Sequence, residues 1–361
     1  MRSFFLVLMA AGSLVSVAQW LMYKTAFPLF SSRWWIIFLA LPIIVFGLVN
    51  GYMHLLPRSI IRALAWGSGL YLGFFYYSVI LLFFFLVASL VGRLFGFPLL
   101  AQWVVKGGLA LICCLVLAGA YNAVHPVVRQ EKFTTAKSLN RPLKIAFVSD
   151  LHLGVLFGRD YSREMVERVK ALKPDLILLG GDILDNELLF VQQEGSLEEF
   201  KKLKAPLGIY AVYGNHDVMR GTGEQEGEYL NSLGIKVVCN EAIDITPNIT
   251  LTGLDDFMRS HNSYNFPQAE ATKLAIFMEH QPRSILKAAK AKYDLYFAGH
   301  THAGQFYPTR ELTKRMYALD YGSKFFQEMF ATVSNGYGLW GIPLRVGPAP
   351  EIVLVQVESK R

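Results

Sequence analysis

Seven side chains that can bind metal ions occur at five separate places in the chain, each shortly after an apolar run. Carboxylate, amide and imidazole donors without sulfur suit Mn, Fe, Zn or Co better than an ion that selects thiolates. Seven donors are too many for one metal with an open position, and about right for two metals that share one carboxylate. Two ions roughly 3.5 to 4 Å apart favour in-line displacement at phosphorus. The seven are Asp150, His152, Asp182, Asn215, His280, His300 and His302.

These donors follow predicted strands whose carboxyl ends meet at one edge of an α/β sheet, where such sheets bind ligands. Helical patterns such as 162–172 lie between the strands, and glycines such as Gly181 allow the sharp turns before the donors. A single such Asp or His is most simply a helix cap or a satisfied polar group, but five positions in register favour a metal site. The predicted strands are 143–148, 175–179, 208–213, 273–278 and 294–298.

Composition divides the chain into a membrane part and a soluble part. The 361 residues carry a net charge of +7 and are 53% hydrophobic, and nearly all of the apolar excess precedes residue 125. An ordinary soluble enzyme of this length is less apolar. We therefore predict a transmembrane anchor at 1–126, a linker at 127–142 and a soluble domain at 143–361.

Four apolar runs in the first part are long enough to predict transmembrane helices, since a span needs about 20 residues. A cleaved signal peptide is the alternative for the first run. The cores of the four runs hold no charged residue, which favours an anchor over a transporter. The predicted spans are 4–22, 34–53, 66–90 and 107–124.

Basic residues predict the orientation of this bundle. Arg58, Arg62 and a cluster at 129–144 lie on the same side as the N-terminus if there are four spans, which predicts a multi-pass protein of the bacterial cell membrane with a cytoplasmic catalytic domain. The cluster suits anionic lipid headgroups or topology control, and we expect no nucleic-acid partner. Cys239 is the one cysteine of the soluble part and is more simply a buried thiol than a nucleophile.

The motifs resemble those of the calcineurin-like metallophosphoesterases, in family order from about Leu143 to Val357. They are Asp-x-His at 150–152, Gly-Asp at 181–182, Gly-Asn-His-Asp at 214–217, His280 and Gly-His-Thr-His at 299–302. The resemblance implies a four-layer α/β sandwich, with two mixed β-sheets flanked by helices, and two divalent metal ions, with Mn favoured. It implies that His216 protonates the leaving oxygen or holds the scissile phosphate.

The same resemblance implies how the ligands are shared between the two ions. Asp182 bridges them in the family pattern. One ion takes Asp150, His152, Asp182 and His302, and the other takes Asp182, Asn215, His280 and His300.

Within the family, the Gly-Leu-Asp-Asp and Pro-Glu-Ile segments at 253–256 and 350–352 are similar to those of the membrane-anchored bacterial branch of YkuE and YaeI type phosphodiesterases. Some of that branch is associated with hydrolysis of UDP-2,3-diacylglucosamine, a lipid A precursor. This chain departs from the branch in having four predicted spans and no twin-arginine start. The first departure favours a lipid substrate, and the second argues against export of the domain.

Several residues near the motifs allow two interpretations. Asp217 either orients His216 or caps a turn, and the cap is the simpler choice. Asp185, Asp255 and Asp256 fit partners of the metal histidines or turn residues better than additional ligands. Arg159 either contacts a substrate phosphate or is a solvated surface residue. The basic and aromatic stretch 305–330 is either a lid facing the bilayer or a connecting loop packed on its own domain.

We therefore predict a membrane-anchored, dinuclear metal-dependent hydrolase of a phosphodiester or pyrophosphate bond. Its expected partners are the lipid bilayer and a phosphorylated, lipid-linked substrate. The alternatives are a generic phosphodiesterase or phosphatase of soluble or cell-envelope esters, and a non-catalytic membrane scaffold. A scaffold should have lost metal ligands, whereas this chain has all seven together with His216. A nuclease would need a long basic groove with stacking aromatic residues, which is not evident here.

Overall fold

The computed structural model describes residues 2–51, 56–139, 141–185, 188–219, 223–260 and 265–360. Backbone contacts divide the chain into two compact units. The helical unit comprises Met1–Tyr121 and the late segment Gly341–Val346, and the second unit comprises Asn122–Trp340 and Gly347–Arg361.

The helical unit contains four α-helices and a short 3₁₀ helix, Pro28–Ser31. Tyr23 of the first helix, Tyr77 and Leu81 of the third and Ile112 of the fourth share an apolar core with Leu344 of the late segment. Close packing there depends on glycine, since a Cβ at Gly108 would stand 2.3 Å from Leu81. The α-helices are α1 (Arg2–Ala26), α2 (Trp35–Gly51), α3 (Arg58–Phe95) and α4 (Leu100–Ala123).

The four predicted spans correspond to four helices, and among the described residues two of these helices have the length and composition of a membrane span. These are α3 and α4, and the apolar part of α2 is shorter. Residues 52 and 53 of the predicted second span lie outside the described residues. The predicted third and fourth spans were too short, because α3 begins directly after Pro57 and α4 extends back through Lys106 to Leu100. At 1.5 Å per residue, α3 is about 57 Å long.

The second unit contains two mixed six-stranded sheets, as the resemblance implied. In the first sheet the strand order is β1-β12-β2-β3-β4-β5, and only the pairing of β12 with β2 is antiparallel. The parallel strands β2 and β3 are buried along most of their length, because sheets of this kind are covered on both faces. The strands are β1 (Val127–Thr135), β2 (Leu143–Val148), β3 (Leu176–Leu179), β4 (Ile209–Ala211), β5 (Lys236–Val237) and β12 (Glu351–Ser359).

The second sheet has the order β10-β11-β9-β8-β7-β6, with antiparallel pairs at both edges. Its three central pairings are parallel, so β7, β8 and β9 end at one edge. The strands are β6 (Glu241–Thr246), β7 (Ile249–Gly253), β8 (Leu274–Met278), β9 (Leu295–Ala298), β10 (Gly322–Phe326) and β11 (Met329–Val333).

The two sheets pack face to face. Phe147 of β2 and Phe297 of β9 meet across the interface, with ring centroids 5.2 Å apart. Helices cover the outer faces: Ile285 and Ala288 pack on β8 and β9, and Val166 is fully buried near the first sheet. The α-helices of this unit are α5 (Arg159–Leu172), α6 (Leu188–Glu194), α7 (Asn215–Val218), α8 (Gly223–Ser232), α9 (Phe257–Ser260), α10 (Ile285–Lys290) and α11 (Arg310–Met316).

The predicted linker 127–142 and the stretch 305–330, predicted as a lid or a connecting loop, both contain regular secondary structure. The predicted linker 127–142 contains β1, which pairs in parallel with β12 at the edge of the first sheet. The sequence did not predict this strand because its charged residues interrupt any apolar run, and an edge strand can expose such residues to solvent. The stretch 305–330 contains α11 and β10, so it is not a plain connecting loop.

Candidate metal centre

The turns after five strands bring the predicted ligands together. Asp150 and His152 follow β2, Asp182 follows β3, and Asn215 opens α7 after β4. His280 follows β8 of the second sheet, and the pair at 300 and 302 follows β9. The site therefore lies where the parallel strands of the two packed sheets end.

One group of donors consists of Asp150, His152 and His302, all buried. The Nε2 atoms of the two histidines are 3.1 Å apart, and the His302 Nε2 is 3.4 Å from Asp150 Oδ1. The Asp150 carboxylate also accepts the backbone N–H of His300, at 3.0 Å from Oδ1. That hydrogen bond ties the turn after β9 to the turn after β2.

A second group consists of Asp182, His280 and His300, with Asn215 beside it. His280 Nε2 is 3.2 Å from Asp182 Oδ2, 3.2 Å from Asn215 Oδ1 and 3.3 Å from His300 Nδ1. The other ring nitrogen of His280 lies 2.8 Å from the Gly180 carbonyl, which can only accept. Nδ1 must therefore carry the proton, which leaves the Nε2 lone pair for a metal.

Asp182 belongs to the second group and also faces His152 of the first group. Its Oδ2 is 3.2 Å from His280 Nε2 and 3.8 Å from His152 Nε2. Its Oδ1 accepts the backbone N–H of His216 at 2.8 Å, which fixes the carboxylate plane. This is the position that a bridging carboxylate requires.

The donor set fits divalent cations. Within each group the potential ligand atoms lie within 4.8 Å of one another, and imidazole nitrogens that face each other at 3.1 to 3.3 Å are best satisfied by an ion that accepts both lone pairs. Five of the seven predicted ligand residues also have left-handed backbone angles, with φ between 47° and 73°. Each such residue costs about 1 kcal/mol or more, and strain of this kind is concentrated at functional sites. The five are Asp150, His152, Asp182, His300 and His302.

Comparisons with known proteins agree with this geometry. A sequence model of the calcineurin-like phosphoesterases matches residues 143–304. An uncharacterized metallophosphoesterase of Helicobacter pylori strain J99 is 31% identical over 254 residues, which is 67% of this chain and 67% of that protein. The chain belongs to the calcineurin-like phosphoesterase family. Members of this family are metal-dependent phosphoester hydrolases.

Two further relatives extend the comparison. The metallophosphoesterase YkuE of Bacillus subtilis is 28% identical over 233 residues, covering 60% of this chain and 79% of that protein. A Danio rerio protein named as a transmembrane protein with a metallophosphoesterase domain is 30% identical over 277 residues. That match covers 70% of this chain and 62% of the relative.

His216, the predicted catalytic residue of this phosphoesterase, stands next to the donors. Its Nδ1 is 3.1 Å from Asp185 Oδ1, and its ring meets the His152 ring edge-on at 4.9 Å. Asp185 also lies 3.5 Å from His152 Nδ1. Asp185 therefore holds the His216 ring through Nδ1 and lies close to His152, as expected for a partner of metal-site histidines.

Electrostatics keep these groups in useful protonation states. Burial opposes the charge of His216, but the carboxylates of Asp182 and Asp185 outweigh it and raise its pKa to about 9. Burial lowers the pKa of His300 to about 3, so its imidazole is neutral and able to bind a metal. Burial opposes the charge of Asp182 too, yet the adjacent imidazoles His280 and His216 hold the pKa of its carboxyl well below the usual range.

Most of the neighbouring residues have structural roles. Asp217 is a cap, since its carboxylate accepts the backbone N–H groups of Gly214 at 2.8 Å and Leu184 at 3.0 Å. Arg159 pairs with the buried carboxylate of Glu199 at 2.8 Å. Burial and the nearby Asp255 raise the pKa of the Cys239 thiol to about 11, which does not suit a nucleophile.

The sequence interpretation missed Trp340, which borders the site. Its ring centroid is 6.1 Å from that of His216. The Gln305 side chain makes two hydrogen bonds with the backbone of Trp340: its amide donates to the carbonyl at 3.1 Å, and its Oε1 accepts from the N–H at 3.0 Å. No local pattern indicates a contact between residues 35 positions apart, although the position of Gln305 directly after the last ligand motif was a hint.

Proposed function

We propose that this protein is a membrane-anchored phosphoesterase that uses two divalent metal ions to hydrolyse a phosphodiester or pyrophosphate bond. The single observation that supports it best is the pair of donor groups on either side of Asp182, with His216 next to them. When bound, the two ions supply charge neutralisation and Lewis-acid activation for displacement at phosphorus.

The protein's own residues account for the remaining steps. Asp182 and the surrounding imidazoles hold the cations, and Asp185 fixes the His216 ring through Nδ1. A protonated His216 can then give a proton to the leaving oxygen from Nε2, which is general acid catalysis. Backbone hydrogen bonds from residues 216 and 300 to the two carboxylates keep these loops in register.

We infer that the substrate is lipid-linked or membrane-associated, and UDP-2,3-diacylglucosamine is our specific candidate. Support comes from the two helices of span length and from relatives named as transmembrane proteins. In this proposal the protein is a multi-pass membrane protein, Mn is the preferred ion, and the bilayer presents the substrate.

The test is a substrate panel with the full chain in detergent and Mn. It compares UDP-2,3-diacylglucosamine with bis-p-nitrophenyl phosphate and p-nitrophenyl phosphate. Preferred turnover of the lipid nucleotide supports the proposal, and activity limited to the generic esters rules out the lipid substrate. Elemental analysis of the same samples should find two ions per chain at saturation, and a single ion contradicts the dinuclear site.

Two variants separate metal binding from proton transfer. Asp182→Ala should abolish both metal occupancy and turnover, because its carboxylate serves both donor groups. His216→Ala should retain the metals and lower kcat by about 100-fold to 10,000-fold, the usual range for a general acid. Asp160→Ala is the control, since that carboxylate is 95% exposed. Full activity in either test variant contradicts the role assigned to that residue.

A further inference from the structure

A cleft of about 410 Å³ lies beside the metal centre. Tyr317 connects the two, because its ring meets the ring of the ligand His300 edge-on at 6.1 Å. A cleft of this volume falls in the usual range for small-molecule sites. It is lined by Pro282, Arg283, Ile285, Leu286, Met316 and Tyr317.

The guanidinium of Arg283 is held in place before any ligand arrives. Its Nε donates to Gln281 Oε1 at 2.8 Å, and the amide of Gln281 donates to Asp256 Oδ2 at 2.8 Å. Its Cζ lies 4.2 Å from the centroid of the Phe257 ring. A guanidinium fixed in this way loses little conformational entropy when it binds an anion.

No ion pair within the described residues neutralises the positive charge of Arg283, whereas Arg259 of α9 is paired with Asp255 at 2.6 Å. The Tyr317 phenol is its neighbour on the side of the metal centre. An exposed arginine that faces a cleft without a carboxylate partner is suited to bind a phosphate with two parallel hydrogen bonds.

Apolar side chains line the rest of the cleft. Ile285 is buried in its floor, and Leu286 and Met316 expose 58% and 60% of their surface. These two side chains come from different elements, α10 and α11, and line the same cleft. Large apolar side chains left exposed next to a site favour an apolar ligand group.

We propose that this cleft binds the part of the substrate beyond the scissile phosphorus, with Arg283 contacting a second phosphoryl group and Leu286 and Met316 contacting an apolar chain. The ligand class is a diphosphate ester that carries an apolar chain. The inference rests on the proposed function, because the first phosphoryl group must lie at the metal centre.

The test measures binding by calorimetry to the Mn-loaded full chain in detergent, after free metal is removed. The probes are inorganic phosphate, hexyl phosphate and hexyl diphosphate. Arg283→Ala should lower the affinity for hexyl diphosphate by about 10-fold to 100-fold and change the affinity for phosphate by less than about twofold. Arg283→Lys should recover part of the lost affinity. Met316→Ser should lower the affinity for both hexyl ligands and leave the affinity for phosphate unchanged. Lys287→Ala removes a neighbouring exposed charge outside the cleft and should change nothing.

Unchanged binding of hexyl diphosphate to Arg283→Ala overturns the proposal, as does an equal loss for phosphate, which would place Arg283 at the metal centre. Turnover of bis-p-nitrophenyl phosphate by the same samples separates this inference from the proposed function. If the wild type binds hexyl diphosphate selectively but does not turn over the ester, the proposed enzymatic function is contradicted and the proposed role of the cleft is not. Turnover without selective binding contradicts the cleft alone.

Discussion

Glu226 is a buried acid that the metal chemistry does not use. It is fully buried in α8, and neither carboxyl oxygen has a hydrogen-bond donor among the described residues. Burial, together with the nearby charges of Asp217 and Asp182, raises its pKa well above the usual value. The folded protein therefore keeps Glu226 protonated at a pH where the unfolded chain ionises it.

This raised pKa predicts a pH-dependent effect of Glu226→Gln on stability. Below the pKa of about 4.3 in the unfolded chain, Glu226 is protonated in both states. As the pH rises above that value, the free energy of unfolding of the wild type falls by up to about 1.4 kcal/mol per pH unit, until the pKa of the folded state is passed. The neutral amide avoids this loss, so the stability gain of the variant should grow from pH 5 to pH 8. Thermal midpoints of the full chain in detergent measure it, with the exposed Glu224→Gln as control. A gain that is equal at both pH values contradicts the prediction.

Residue types at the site could be predicted from the sequence, but their conformations and distant partners could not. The Asp-x-His and Gly-His-Thr-His motifs indicate which atoms can bind metal, because ligand chemistry depends on residue type. The left-handed angles of Asp150 and His302 depend on the packing of the turns around them. The contact of Trp340 with His216 depends on a chain reversal that no local pattern specifies.

At the scale of elements, the turn after β3 depends on Gly181. Its φ is 84°, and a Cβ there would stand 2.6 Å from Gly214 N and 2.9 Å from His280 Nδ1. Gly234, after α8, has nearly the same φ of 83° and open space where a Cβ would be. The two glycines thus share a backbone conformation and differ in their surroundings.

This pair separates backbone strain from steric conflict. Gly234→Ala should cost about 1 kcal/mol of stability and leave metal content unchanged, since only the left-handed conformation is penalised. Gly181→Ala should cost more than about 2 kcal/mol and reduce metal content, because backbone and a ligand imidazole must move. Thermal midpoints and elemental analysis measure the two effects. Equal metal content in both variants would show that Gly181 serves only its own turn.

Strands buried on both faces were predictable, and the outer strands β1, β6 and β10 were not. The apolar run at β2 predicted its bounds, because both of its faces are covered. The outer strands β1, β6 and β10 contain charged and polar residues and resemble loops in the sequence. The start of α3 was also missed, since Arg58 and Arg62 were assigned to the connection between the predicted spans 34–53 and 66–90.

At the scale of the whole molecule, the surface of the helical unit is strongly apolar. Phe83 and Leu90 of α3 expose 62% and 59% of their surface, and Leu111 and Leu117 of α4 expose 60% and 72%. Exposing such a surface to water is unfavourable in free energy, whereas contact with lipid tails carries no such cost. This supports membrane insertion of α3 and α4, and the four spans predicted from the sequence place Arg33 and Lys236 on opposite sides of the membrane.

The proposed topology predicts opposite labelling of two engineered cysteines. In a background with Cys113, Cys114 and Cys239 changed to Ser, Lys236→Cys and Arg33→Cys place thiols at exposed sites. A membrane-impermeant maleimide should label Arg33→Cys in intact spheroplasts and Lys236→Cys only after permeabilisation, because basic residues favour the cytoplasmic side. Labelling of both before permeabilisation contradicts an even number of spans with a cytoplasmic enzyme. The reverse pattern places the phosphoesterase outside the cell, where only exported phosphoesters could reach it.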